Sequence, residues 1–198
     1  MAIILKNIEW DTDKDTDTLE DFYEIEDIED LNDYLDGNFW DYDGIIDYVS
    51  DKTGWCIKSC EIMAEIAVDF EYAVEAGCFD NKKSEELHSM MYDSEIYEYL
   101  DNAGVAGITV PLAQLLEYFE ENCSYLNENN ENDFCLWYDN YTPDEVNGIF
   151  EFMEKEAAIT GLDFDYKAMP DDETKGIFEN VYSDTRHEYN RLLKGEER

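Results

Sequence analysis

The chain has 198 residues, with thirteen Lys and Arg against fifty-two Asp and Glu, and a formal net charge of -39. That balance excludes direct binding to nucleic acid and to anionic membrane, both of which repel it, and makes a basic protein the expected partner. With 15% aromatic residues, fifteen of them Tyr, the sequence still holds enough apolar surface for a packed core in one domain or two small ones.

In chain order, Ala2 to Trp10 reads as a strand, its apolar run of Ile3, Ile4, Leu5 and Ile8 broken by Lys6 and Asn7. The acids then begin. From Asp11 to Asp51 there are seventeen Asp and Glu and one basic residue, Lys14. They open at alternate positions, Asp11, Asp13, Asp15 and Asp17, and are then interleaved with Phe22, Ile25, Ile28, Leu31, Leu35, Phe39, Trp40, Ile45 and Val49. Such a segment buries apolar surface and is expected to fold rather than solvate a disordered tail. Phe22 to Ile25 reads as a second strand, and Glu29 to Leu35 and Gly44 to Thr53 as helices, the latter closed by Gly54 as a left-handed cap. Trp55 to Ile62 reads as a third strand.

The pattern Ile8-Glu9-Trp10-Asp11-Thr12-Asp13, followed later by Asp47-Tyr48-Val49-Ser50-Asp51-Lys52-Thr53-Gly54-Trp55-Cys56-Ile57, resembles a small acidic domain of Gram-positive bacteria and their phages. The resemblance covers residues 8 to 62 and implies a compact sheet with one helix. The chain departs from it at Lys14, where Gly is usual, and in an insertion around Asp36 to Asp43. It implies no catalytic residues.

Beyond residue 62 the pattern is helical. Ile62, Met63, Ile66, Ala67, Phe70 and Val74 form one stripe, closing at Gly77. Ser84 to Leu100 forms another, breaking near Asp93. Pro111 is expected to open a helix through Leu112, Leu115, Leu116, Phe119, Cys123 and Leu126. Asn127 to Asp133 reads as a loop and Phe134 to Tyr138 as a short strand. Thr142 and Pro143 signal a helix ending at Gly161, and Pro170 introduces the last one. The fold class is α+β: a small acidic antiparallel sheet with helix over residues 1–63, then a mainly helical unit over 64–198.

Each candidate site has a plain alternative. Asp13, Asp15, Asp17, Asp21 and Glu24 fall at calcium-loop positions, but Thr18 stands where the turn needs glycine, so a solvated acidic loop is the stronger reading and no metal or cofactor is expected. His88 and His187 lack a second histidine at helical spacing and read as core residues. The five cysteines lack Cys-x-x-Cys spacing and read as buried, reduced thiols, which implies a cytosolic protein, and the resemblance to phage proteins implies the cytoplasm of a bacterial host cell. Ala2 to Leu5 is too short for the apolar core of a secretory signal, so none is expected, and no apolar run approaches membrane-spanning length. With no nucleophile motif and no phosphate-cradling loop, catalysis is not expected.

The acidic rows are the remaining signal. Alternate strand residues, and residues four apart on a helix, space carboxylates at roughly 6–7 Å, close to two phosphate steps of duplex DNA at about 3.4 Å each. The composition as a whole resembles the acidic inhibitors of phages and mobile elements, the anti-CRISPR and antirestriction DNA mimics. The resemblance implies that the chain blocks the DNA-binding channel of a CRISPR effector nuclease such as Cas9. The residues expected to carry this are Asp11, Asp13, Asp15, Asp17, Glu24, Asp27, Asp30, Asp33, Asp41 and Asp43, with Trp40 and Tyr42 as anchors. The rivals are an antirestriction mimic, a calcium-binding protein and an acidic chaperone for a basic protein. The basic C-terminus (Arg186, His187, Arg191, Lys194, Arg198) suits a helix dipole, or pairing with the acids of a second copy in a homodimer.

Overall fold

A computed structural model describes residues 2–12, 19–79, 81–122, 134–160 and 172–195. The fold is α+β. Its strands are β1 (Ile3–Trp10), β2 (Phe22–Ile25), β3 (Ile57–Asp69) and β4 (Val105–Pro111), in one antiparallel sheet of order β2-β1-β3-β4. Helices α1 (Ile28–Tyr34) and α2 (Tyr42–Thr53) lie between β2 and β3, and α3 (Phe70–Glu75), α4 (Lys82–Met90) and α5 (Ser94–Asp101) between β3 and β4. Then follow α6 (Leu112–Asn122), α7 (Phe134–Asn140), α8 (Pro143–Thr160) and α9 (Asp172–Leu193). The chain gathers into two compact units. The first is Met1–Glu65 with Val110–Thr142, and the second is Ile66–Thr109 with Pro143–Arg198. The residue 63 boundary read from the sequence falls near the end of the first unit's leading segment, and that unit also takes in Val110–Thr142.

In the first unit β1 lies between two strands and both of its faces are covered over Ala2 to Leu5, which is why its apolar run is continuous rather than alternating. Ile3 to Lys6 pair with Ile25 to Phe22 of β2, and the same residues face Ala64 to Glu61 of β3. Ala2, Ile3, Ile4 and Leu5 are all buried. The β1–β3 register shifts between Lys6 and Trp10, where Asn7 adopts φ +52°, a left-handed conformation that Asn accepts more readily than most residues. Helices α1 and α2 bury Ile28, Leu31, Ile45, Tyr48 and Val49 and turn their acids outward. Each starts on an aspartate. Asp27 accepts from the Asp30 N–H at 3.0 Å and Asp41 from the Gly44 N–H at 2.9 Å. Gly54, at φ +75°, closes α2 as expected and donates its N–H to the Ser50 carbonyl.

Three expectations are corrected. The stripe from Ile62 to Val74 is not one helix, because β3 continues to Asp69 and only Phe70–Glu75 is helical. Ala64, Ile66 and Val68 are buried at alternate positions, and this period of two coincides with helical spacing at Ile62, Met63 and Ile66. Phe134–Tyr138 is helix α7 rather than a strand. Its buried Phe134, Trp137 and Tyr138 stand at i, i+3 and i+4, a pattern too short to separate from a strand by periodicity. Finally, Pro111 ends β4, a strand missing from the sequence reading, and the helix starts at Leu112. Buried Ala106, Ile108 and Val110 alternate there, but Gly104 and Gly107 weaken the strand signal.

In the second unit the rings of Phe70, Phe79 and Phe178 stack with centroids 4.6 to 6.2 Å apart, joining α3 to α9. The break near Asp93 is real: its carboxylate caps α5 by accepting from the Glu95 N–H. Gly77 follows α3 at φ +69°. The expected endpoints Cys123, Leu126, Gly161 and Pro170 and the loop 127–133 lie outside the described residues.

Candidate protein interface

The acidic surface of the first unit is built by α1, α2 and the turn between them. Once α2 begins at Tyr42, Asp43, Asp47 and Asp51 fall four residues apart and are all exposed, a row with about 6 Å of helix axis between neighbours. Like charges at i, i+4 destabilise a helix by a few tenths of a kcal/mol per pair, and Asp51 also opposes the dipole at the C-terminal end. On α1 and the turn after it, Glu29, Asp30, Asp33 and Asp36 are exposed as well. Between residues 15 and 57 the sequence offers one cation, Lys52.

Lys52 is engaged by Asp30, at 2.9 Å, and Tyr48 donates its hydroxyl to the same carboxylate at 2.7 Å. The Lys52 hydrogen bond, and then that of Tyr48, hold the Asp30 carboxyl below its ordinary range, and Asp30 in turn raises the Lys52 ammonium. The neighbouring phenols are all pushed up. Burial acts first on Tyr34, followed by the charges of Asp51, Asp47 and Asp41. Tyr48 feels burial and then Asp30, and Tyr42 burial and then Glu117.

The residues singled out in the sequence thus have different positions. Asp33 and Asp43 are exposed on α1 and α2, and Glu24 on β2. Asp11, also exposed, follows β1, where its N–H donates to the Cys56 carbonyl at 2.8 Å. Asp27 and Asp41 are helix caps and Asp30 is ion-paired, so these three also hold the fold. Trp40 is 39% exposed and donates its indole N–H to Glu120 of α6 at 2.6 Å, while Tyr42 is half-buried with its ring 6.2 Å from that of Trp40. Asp13, Asp15 and Asp17, and with them the head of the calcium register, lie outside the described residues. The sequence reading chose neither Asp47 nor Asp51, although their spacing from Asp43 was visible, and Glu120 had no local signal at all.

Two further expectations change. His88 and His187 are exposed rather than core residues. Cys56 is exposed and Cys60 and Cys135 are half-buried, so that of the described thiols only Cys78 is buried. Among the described residues no group of three or more His, Cys, Asp or Glu is placed to hold a metal ion, and no helix is long and apolar enough to cross a membrane.

No protein-family model matches the chain, and neither a curated protein nor a solved structure matches it.

Proposed function

We propose that the protein is an anti-CRISPR inhibitor that presents the charge pattern of DNA to the nucleic-acid channel of a CRISPR effector nuclease such as Cas9. The observation that carries the reading is the row Asp43, Asp47 and Asp51 on a capped helix, beside the acids of α1 and with one cation in the whole stretch. The axial step of about 6 Å lies close to two phosphate steps of about 3.4 Å. A scaffold that tolerates the repulsion of such a row keeps a concentrated negative field, which steers association with a basic groove and releases counterions on contact. The aromatic pair Trp40 and Tyr42 adds apolar area where charge alone gives little specificity. The protein acts by occupying the channel, as a stoichiometric competitor without turnover, and binds no nucleic acid itself.

The test is to titrate the protein into a fixed amount of guide-loaded nuclease and follow target cleavage. The expected result is an endpoint near one equivalent that weakens steeply as salt is raised. Full cleavage at large molar excess in low salt would sink the reading. A parallel titration with a restriction endonuclease tests the antirestriction form of the same chemistry.

A further inference from the structure

Between α1 and α2 the chain turns through Asp36 and Gly37, both with positive φ, at 49° and 79°. It then sends Phe39 inward and leaves Trp40 at the surface. Residues of this turn, of α6 and of α7 line a cavity of about 250 Å³ that opens to solvent. Its lining includes Phe39, Phe119 and Phe134, which are 2%, 2% and 4% exposed, with the Phe39 and Phe134 rings 4.8 Å apart. Asp36, Trp40 and Glu120 line it as well, and the 2.6 Å hydrogen bond from the Trp40 indole to Glu120 ties the turn to α6.

We propose that this cavity receives an arginine side chain of the basic partner, an inference that rests on the reading of the first unit as a surface for a basic protein. Its volume is below the ~300–1,000 Å³ of pockets that hold drug-sized ligands, so a side-chain head fits better than a cofactor or nucleotide. Its two carboxylates exclude anions. Glu120 gives one acceptor site to Trp40, and a carboxylate has about four, so it can still accept from an incoming N–H. The indole, fixed by that bond, offers a face for a cation without new ordering cost. A planar guanidinium stacks on an aromatic face and donates to two carboxylates at once, which the compact, strongly hydrated lysine ammonium does less well.

The test uses the full chain and two peptides of equal length and charge, one based on arginine and the other on lysine. The Trp40 indole resonance, identified by its loss in Trp40→Phe, is followed by NMR during each titration. The arginine peptide is expected to shift that resonance and to bind about tenfold more tightly than the lysine peptide. Glu120→Gln keeps an acceptor for the indole and is expected to abolish the preference while leaving the melting temperature unchanged. Equal affinities for the two peptides, or arginine shifts confined to other indoles, overturn the proposal. If the preference holds but no nuclease is inhibited, the arginine site stands and DNA mimicry falls. If salt-sensitive inhibition holds without the preference, the reverse is concluded.

Discussion

The two compact units carry nearly equal amounts of acid and differ in what answers it. The first has twenty-seven Asp and Glu with four Lys, and the second twenty-five with nine Lys and Arg. Among the described residues of the second unit, Lys83, Arg186 and Arg191 are used internally. Lys83 bridges to Glu179, Arg186 reaches Glu86 at 3.5 Å, Arg191 pairs with Glu188, and Lys83 and Arg186 both lie over the Tyr182 ring. In the first unit, Lys52 pairs with Asp30, and Lys58 makes a looser contact with Glu9 at 3.7 Å, both on exposed side chains. Surface pairs of this kind add little stability, with a median of about 0–1 kcal/mol. Their larger effect is to neutralise the field locally, so acid content alone does not make a polyanion-like face. In the proposed reading it is the exposed row Asp43, Asp47 and Asp51 on α2 that would present such a face.

The sharpest way to break this comparison is to reverse charge in each unit in equal number. Asp43→Lys, Asp47→Lys and Asp51→Lys together are expected to weaken nuclease inhibition by about a hundredfold, within the range of electrostatic steering, and to flatten its salt dependence. Reversal of Glu85, Glu95 and Glu151, all exposed in the second unit, is expected to change it by less than about fivefold. Comparable losses in both sets would show that net charge matters and the row does not.

A smaller effect separates folding from recognition within the first unit. Asp41→Ala removes the cap of α2 and is expected to cost about 1 kcal/mol in denaturant unfolding. Asp41→Asn keeps the cap and removes the charge, so stability should hold while inhibition falls slightly. Equal stability loss in both variants would mean that the carboxylate's charge, rather than its acceptor oxygen, holds the helix end.

The smallest predicted contrast is in pH response. Glu71, 3% exposed in the second unit, has its carboxyl raised by burial, with Asp69 and Asp101 adding to the shift. Its contribution is fully present below the ordinary Glu value of about 4.3 and is lost as pH rises through the raised value. Asp30 behaves oppositely: its lowered carboxyl contributes above the ordinary Asp value of about 3.9, and that contribution is lost as pH falls through the depressed one. Acidification toward the ordinary Glu value therefore favours the second unit through Glu71 before Asp30 loses its contribution. Glu71→Gln should raise the melting temperature at pH 7 by about 2–4 °C and remove that part of the pH dependence. An unchanged melting curve would place Glu71 in water rather than in the core.

Much of this architecture was legible in the sequence where signals are local. The β1 run, the strand Phe22–Ile25, the Gly54 cap and the interruption at Asp93 each depend on neighbours a few residues away. The misread elements depended on partners instead. Strand β3 runs on to Asp69, past the end of its pairing with β1 at Ala64, because β4 is its other neighbour in the sheet, and Phe134–Tyr138 is helical because its three buried aromatics pack among Phe39, Phe119 and Tyr141. The site divides the same way. The acids of α1 and α2 were visible as a charge run, whereas the pairing of Asp30 with Lys52, and of Trp40 with Glu120 eighty residues later, is tertiary and has no pattern along the chain.

The central claim is that this protein and DNA compete for one channel, and mutual exclusion tests it most directly. Labelled target DNA and labelled inhibitor are mixed with guide-loaded nuclease, and co-occupancy is measured at several salt concentrations. The account predicts that DNA and inhibitor displace each other at every salt, with inhibitor affinity falling linearly on a log-log plot. A stable ternary complex holding both on one nuclease would contradict it.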